Sequence, residues 1–136
     1  MARMDRWTTL RRRATWLWLA YWVMAFALTH VPKVPNPGRV IPHGDKLAHF
    51  LLYFVLVILG DWAIRRRGRR PAARTYITWA IAYAFYAGVD EWLQQFVHRH
   101  TSVGDWIADL SGILVATLLL ALRRNVRISD PPASTE

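Results

Sequence analysis

The sequence predicts an all-α membrane protein: a bundle of four transmembrane helices in one domain, with both termini in the cytoplasm. Three observations predict it. The 136 residues are 54% hydrophobic yet carry 18 Lys and Arg against 9 Asp and Glu, so apolar and charged residues must be segregated along the chain. Four apolar runs approach the roughly 20 residues that a helix needs to cross a hydrocarbon core. The arginines stand in blocks beside those runs, where anionic headgroups attract them, and this placement argues against nucleic acid as the partner of a chain with net charge +9. There is no cysteine, which excludes disulfides, thiolate metal sites and thiol nucleophiles.

The first span is Ala14 to Val31, roughly 27 Å of helix at about 1.5 Å rise per residue. A cleaved leader is the competing reading, since Arg11, Arg12 and Arg13 precede the run and Ala25-Phe26-Ala27 resembles a cleavage site. The run continues past that point and holds three tryptophans, which favours a retained span. The connector from Pro32 to Gly44 has four prolines and two glycines, so it is expected to be irregular and to lie over the outer surface. The second span, Leu47 to Ile64, is interrupted by His49, Tyr53 and Asp61, the last four residues before Arg65 and placed to pair with it. The third begins at Tyr76 and is apolar only to Val89, so it is expected to continue through Asp90, Glu91, Gln94 and Gln95 to about Val97. Ser102 is placed to cap the fourth, Val103 to Leu122. The tail from Ser129 to Glu136 has the composition of a disordered segment.

Orientation follows from the basic residues. All 18 except Lys33, Arg39, Lys46 and Arg99 fall before the first span, between the second and third, or after the fourth. The positive-inside rule therefore puts both termini and the middle loop in the cytoplasm. Trp16, Trp18, Trp62 and Trp79 fall near the inner boundary and Trp92 and Trp106 near the outer one, as aromatic belts would require, while Trp22 lies deeper.

With that topology Asp45, Asp90, Glu91, Asp105, Asp109 and all five histidines collect at the outer side. Lys46, His49 and Tyr53 share one stripe of the second helix, Tyr83, Tyr86, Asp90 and Gln94 one stripe of the third, and Ser102, Asp105, Asp109, Gly112 and Ala116 one stripe of the fourth. Three helices thus bring polar stripes to one membrane level. Ionisable groups within spans are costly, so they face the bundle interior or water and mark functional sites by default. The competing reading is a structural polar cluster that pins the helix ends. His30, His43, His100, Lys33 and Arg39 read as wetted loop positions on which no mechanism should be built.

Three blocks in order, Asp45-Lys46-Leu47-Ala48-His49-Phe50-Leu51-Leu52-Tyr53, then Asp90-Glu91-Trp92-Leu93-Gln94, then Arg99 followed by Asp105-Trp106-Ile107-Ala108-Asp109 and Gly112, resemble the VanZ-like family. The resemblance covers about half the chain, from Asp45 to Gly112. One departure is that many members have Pro-Gly before the Arg, where Val97 and His98 stand here with one residue fewer. The resemblance implies a small multi-span protein of the bacterial cytoplasmic membrane, with one namesake associated with resistance to the glycopeptide teicoplanin, and it implies no established reaction. By motif it marks Asp45, Lys46, His49, Tyr53, Asp90, Glu91, Gln94, Arg99, Asp105 and Asp109.

These residues suggest an outer-face site for a phosphate-bearing or glycan-bearing envelope lipid or wall precursor. Lys46 and Arg99 would hold anionic oxygens, with Asp45, Tyr53 and Gln94 completing the binding surface. Asp90, Glu91, Asp105 and Asp109 would orient the ligand or hold Mg²⁺, and His49 would move a proton. No serine or other nucleophile is visibly paired with a base, so catalysis is left open. The alternatives are a non-catalytic membrane partner of envelope-synthesis proteins and a proton-coupled transporter, and the apolar inner half of the spans argues against the second. Oligomeric state is not readable.

Overall fold

A computed structural model describes residues 2–30, 43–65, 71–97 and 102–126, with side chains described from residue 8 and up to residue 123. Among the described residues all regular structure is helical: α1 (Ala2–His30), α2 (Gly44–Ile64), α3 (Ala73–Gln94) with one 3₁₀ turn at Gln95–Val97, and α4 (Val103–Val126). Two of the expected spans, Leu47–Ile64 and Val103–Leu122, lie within α2 and α4; the first lies in α1 up to His30, and the third runs from α3 into the 3₁₀ turn that ends at Val97. α1 starts at Ala2, taking the arginine block into the helix, because Arg is a good helix former and nothing in that stretch breaks the turn. α4 likewise runs past Leu122 to Val126, and α3 starts at Ala73. Val31, Arg99, His98, His100 and the tail from 129 to 136 lie outside the described residues, as does most of the connector from 31 to 42.

Two caps behave as elementary hydrogen bonding demands. Ser102 Oγ accepts the Gly104 N–H at 3.2 Å, and the Ser102 carbonyl accepts the Asp105 N–H at 2.9 Å, which starts α4. His43 stands in the left-handed region (φ 60°) and its carbonyl accepts the Leu47 N–H at 3.1 Å, turning the chain into α2.

The helices form a ring. α2 packs most extensively on α4, α1 lies against α2, α3 lies against α4, and α1 touches α3 more lightly. The α2–α4 seam is close because Gly112 puts the α4 backbone against Phe50 and Phe54 of α2, and Ala116 continues it without a bulky side chain. Leu56, Val57, Tyr53, Ile113, Ala116 and Leu120 fill the interior between them. The α1–α3 seam is aromatic instead: Trp18 meets Trp79 edge-on at 5.9 Å, and Trp22 meets Tyr86 edge-on at 5.0 Å. Trp18 and Trp79 are half-buried and pack between helices, a contact that the belt reading of the sequence did not anticipate. Trp16, Trp62, Trp92 and Trp106 do face outward.

α2 and the stretch Val103–Arg123 of α4 are long and apolar enough to cross a membrane. α1 and α3 dilute their apolar residues with Trp, Tyr and Thr. Large apolar side chains nevertheless stand exposed on all four helices, among them Val23, Leu51, Phe85 and Leu114.

Candidate functional site

The polar stripes meet at one end of the bundle, where the start of α2, the end of α3 and the start of α4 lie together. At the rim, Lys46 Nζ sits 3.4 Å from Asp45 Oδ2 and 3.3 Å from Asp105 Oδ1, so one ammonium serves two carboxylates. One turn deeper, His49 Nδ1 lies 3.0 Å from Asp109 Oδ1, with both side chains buried. With Asp109 ionised, its carboxylate can only accept, and His49 Nδ1 is then the donor of that bond. Tyr53, a further turn down α2, is buried with its hydroxyl unpartnered among the described residues.

α3 adds the remaining acids. Asp90 is 2% exposed and accepts from Gln94 Nε2 at 3.2 Å. Glu91 follows about 100° round the helix, and its Oε1 accepts the Ser102 N–H at 2.6 Å, tying α3 to the start of α4. Glu91 Oε2 and Asp109 Oδ2 are buried without a partner among the described residues. A ring nitrogen of His49 and one carboxylate oxygen from each of Glu91 and Asp109 lie within 4.8 Å of one another, close enough to share a ligand or an ion. Beside them an open cavity of about 370 Å³ is lined by Gly88, Glu91, Trp92, Ser102, Val103 and Trp106.

Of the residues marked in the sequence, Asp45, Lys46, His49, Tyr53, Asp90, Glu91, Gln94, Asp105 and Asp109 are brought to this end, and Arg99 lies outside the described residues. Two members were missed. The Thr29 hydroxyl lies 3.3 Å from Asp90 Oδ1, and His30 Nδ1 lies 3.7 Å from the same oxygen while donating to the Phe26 carbonyl at 2.9 Å. His30 is therefore no wetted loop position: it closes the last turn of α1, stacks on Phe26 at 3.9 Å, and its side chain is 13% exposed. The i, i+4 spacing of Phe26 and His30 was the available clue. All four helices contribute, not three.

The opposite end is simpler. Asp61 pairs with Arg65, as the spacing predicts, and also accepts from the Tyr76 hydroxyl at 3.1 Å, which joins α2 to α3. Leu56, Val57 and Tyr83 stand between Asp61 and the His49–Asp109 pair. That layer is mostly apolar, with the buried Tyr53 and Tyr83 hydroxyls as polar atoms within it.

No family model matches the chain, and no solved structure matches it. It is similar to an uncharacterized protein of Schizosaccharomyces pombe, 25% identical over 120 residues, covering 88% of this chain and 69% of the relative.

Proposed function

We propose that the chain is a four-span membrane protein, with both termini on the cytoplasmic side, whose polar end binds the glycan-bearing headgroup of a membrane lipid. The observation that carries this reading is the cavity framed by Trp92, Trp106, Glu91 and Ser102 beside the buried carboxylates. Flat aromatic faces next to carboxylate acceptors suit a sugar, whose C–H faces pack on rings while its hydroxyls donate to carboxylates. Lys46 at the rim is placed for the phosphate that joins sugar to lipid. Large exposed apolar side chains on every helix support four spans, since a soluble protein rarely leaves so many of them in water. The arginine blocks support the orientation.

The likeness to the VanZ-like family belongs to this proposal, as does a role in the bacterial cytoplasmic membrane or in glycopeptide resistance. A relative in a yeast favours a lipid common to many membranes over a bacterial wall precursor. With Asp109 ionised and no cation bound, the His49 Nδ1–H is held by the carboxylate and Nε2 is left as the ring's acceptor, which suits His49 to take a proton if binding is to lead to hydrolysis.

Native mass spectrometry of the detergent-purified protein tests the reading. Glycosylated polyprenyl phosphates should be retained over plain phospholipids, and folded Trp106→Ala and Glu91→Gln variants should lose about tenfold or more in affinity if each removes a central contact. Equal retention of all lipids, or variants that bind as well as wild type, would leave a structural cluster serving a protein partner as the better account.

A further inference from the structure

We infer that His49, Glu91 and Asp109 bind a divalent first-row cation, Zn²⁺ or Mn²⁺, inside the polar end of the bundle. Their donor atoms come from α2, α3 and α4 and already lie within 4.8 Å of one another. A tetrahedral ion with ligands at about 2.1 Å holds its donors roughly 3.4 Å apart, so modest side-chain rotations complete the set. His49 Nδ1 and Asp109 Oδ1, at 3.0 Å, are already at that separation, and the ion takes the place of the proton between them.

Two independent observations point to a ligand here. Glu91 Oε2 and Asp109 Oδ2 are buried with no partner among the described residues, and the Asp109 side chain is 1% exposed. A buried acceptor left unpaired is a standing cost that a bound cation removes. The second is charge. Glu91, Asp109 and the adjacent Asp90 share the interior with His30 and His49, while Lys46 is engaged at the rim by Asp45 and Asp105. With Glu91 and Asp109 ionised and His49 neutral, the three ligands would carry a charge of about −2, which a divalent ion cancels.

The donor set also selects the ion. Mg²⁺ and Ca²⁺ favour all-oxygen shells, whereas one imidazole with two carboxylates suits Zn²⁺ or Mn²⁺. Three protein ligands leave a coordination position open. Glu91 also lines the cavity between Trp92 and Trp106, so an oxygen of whatever occupies that cavity would take the open position. The inference stands on the donor geometry and does not require the lipid reading.

The test is metal content of the full-length protein in detergent, stripped with chelator and then titrated separately with Zn²⁺ and Mn²⁺ while thermal unfolding is followed. One ion per chain should bind and raise Tm, because an ion that binds only the folded state stabilises it by mass action. His49→Ala, Glu91→Gln and Asp109→Asn should each weaken binding by about tenfold or more, the scale seen even for residues that only support ligands. Asp61→Asn, at the other end, should bind as wild type. Magnetic coupling from a coordinated imidazole nitrogen in Mn²⁺-loaded wild type, lost in His49→Ala, identifies the ligand where stability alone is ambiguous. Wild type that takes up neither ion and shows no Tm shift overturns the inference, as do folded variants that bind like wild type.

Discussion

Replacing Gly112 by valine is expected to drive α4 off α2 and destabilise the protein by about 3 kcal/mol, the upper end of the usual cost of overpacking a core. A Cβ at this position would overlap the Phe50 carbonyl oxygen and would stand 3.1 Å from the Phe54 nitrogen and 3.2 Å from the Phe50 carbonyl carbon. All three are backbone atoms of α2, and none can rotate away. The only relief is to separate the helices, which opens the seam where Tyr53, Leu56, Ile113 and Ala116 are packed. His49 and Asp109 would part as well. Gly88 supplies the control: a Cβ there meets only Trp106 Nε1 at an ordinary 3.7 Å. Gly88→Ala should therefore be neutral or more stable by about 0.5–1 kcal/mol, the gain from removing glycine from a helix interior. Thermal unfolding in detergent, read by circular dichroism, checks both. Gly112→Val melting alongside wild type would mean that α2 and α4 do not touch through this glycine.

Sequence reading reached the inward-facing stripes because helical period is local. Lys46, His49 and Tyr53, or Asp105, Asp109 and Gly112, need only the 100° step between residues to be placed on one face. The partner of each stripe is not local. Nothing in the chain order says that α2 and α4 share the closest seam, or that His49 meets Asp109 and Lys46 meets Asp105 at matching heights. Those pairings depend on register, which the Gly112 contact sets. His30 was misread for a related reason: it follows an apolar run and precedes a connector rich in proline, so its composition looks like a loop although its hydrogen bond to Phe26 makes it the final turn of α1. The tryptophans show the same limit. Their enrichment suggested interfacial belts, but Trp18 and Trp79 find each other across the α1–α3 seam, and only tertiary contact separates the two fates.

The His49–Asp109 pair offers a sharper expectation, measured with chelator present so that no cation contributes. His49→Ala should be the worst of the single changes at this end, by about 3 kcal/mol, because it leaves a buried carboxylate without its hydrogen-bond donor, and an unsatisfied charged group costs more than a neutral one. Asp109→Ala should cost less, about 1–3 kcal/mol, since a neutral imidazole left without its acceptor loses a hydrogen bond but strands no charge. The double variant removes both groups, and so it should be more stable than His49→Ala alone despite carrying an additional truncation. That ordering follows from the asymmetry between leaving a polar group unpaired and removing both partners. The double-mutant cycle in detergent, by thermal or denaturant unfolding, gives the coupling directly. Additive losses would show that the two side chains act separately in the folded protein, and the 3.0 Å contact would then have no energetic role. A large coupling, with the double variant still taking up lipid, would instead assign the pair to holding α2 and α4 in register and leave Glu91, Trp92 and Trp106 to make the contacts in the cavity.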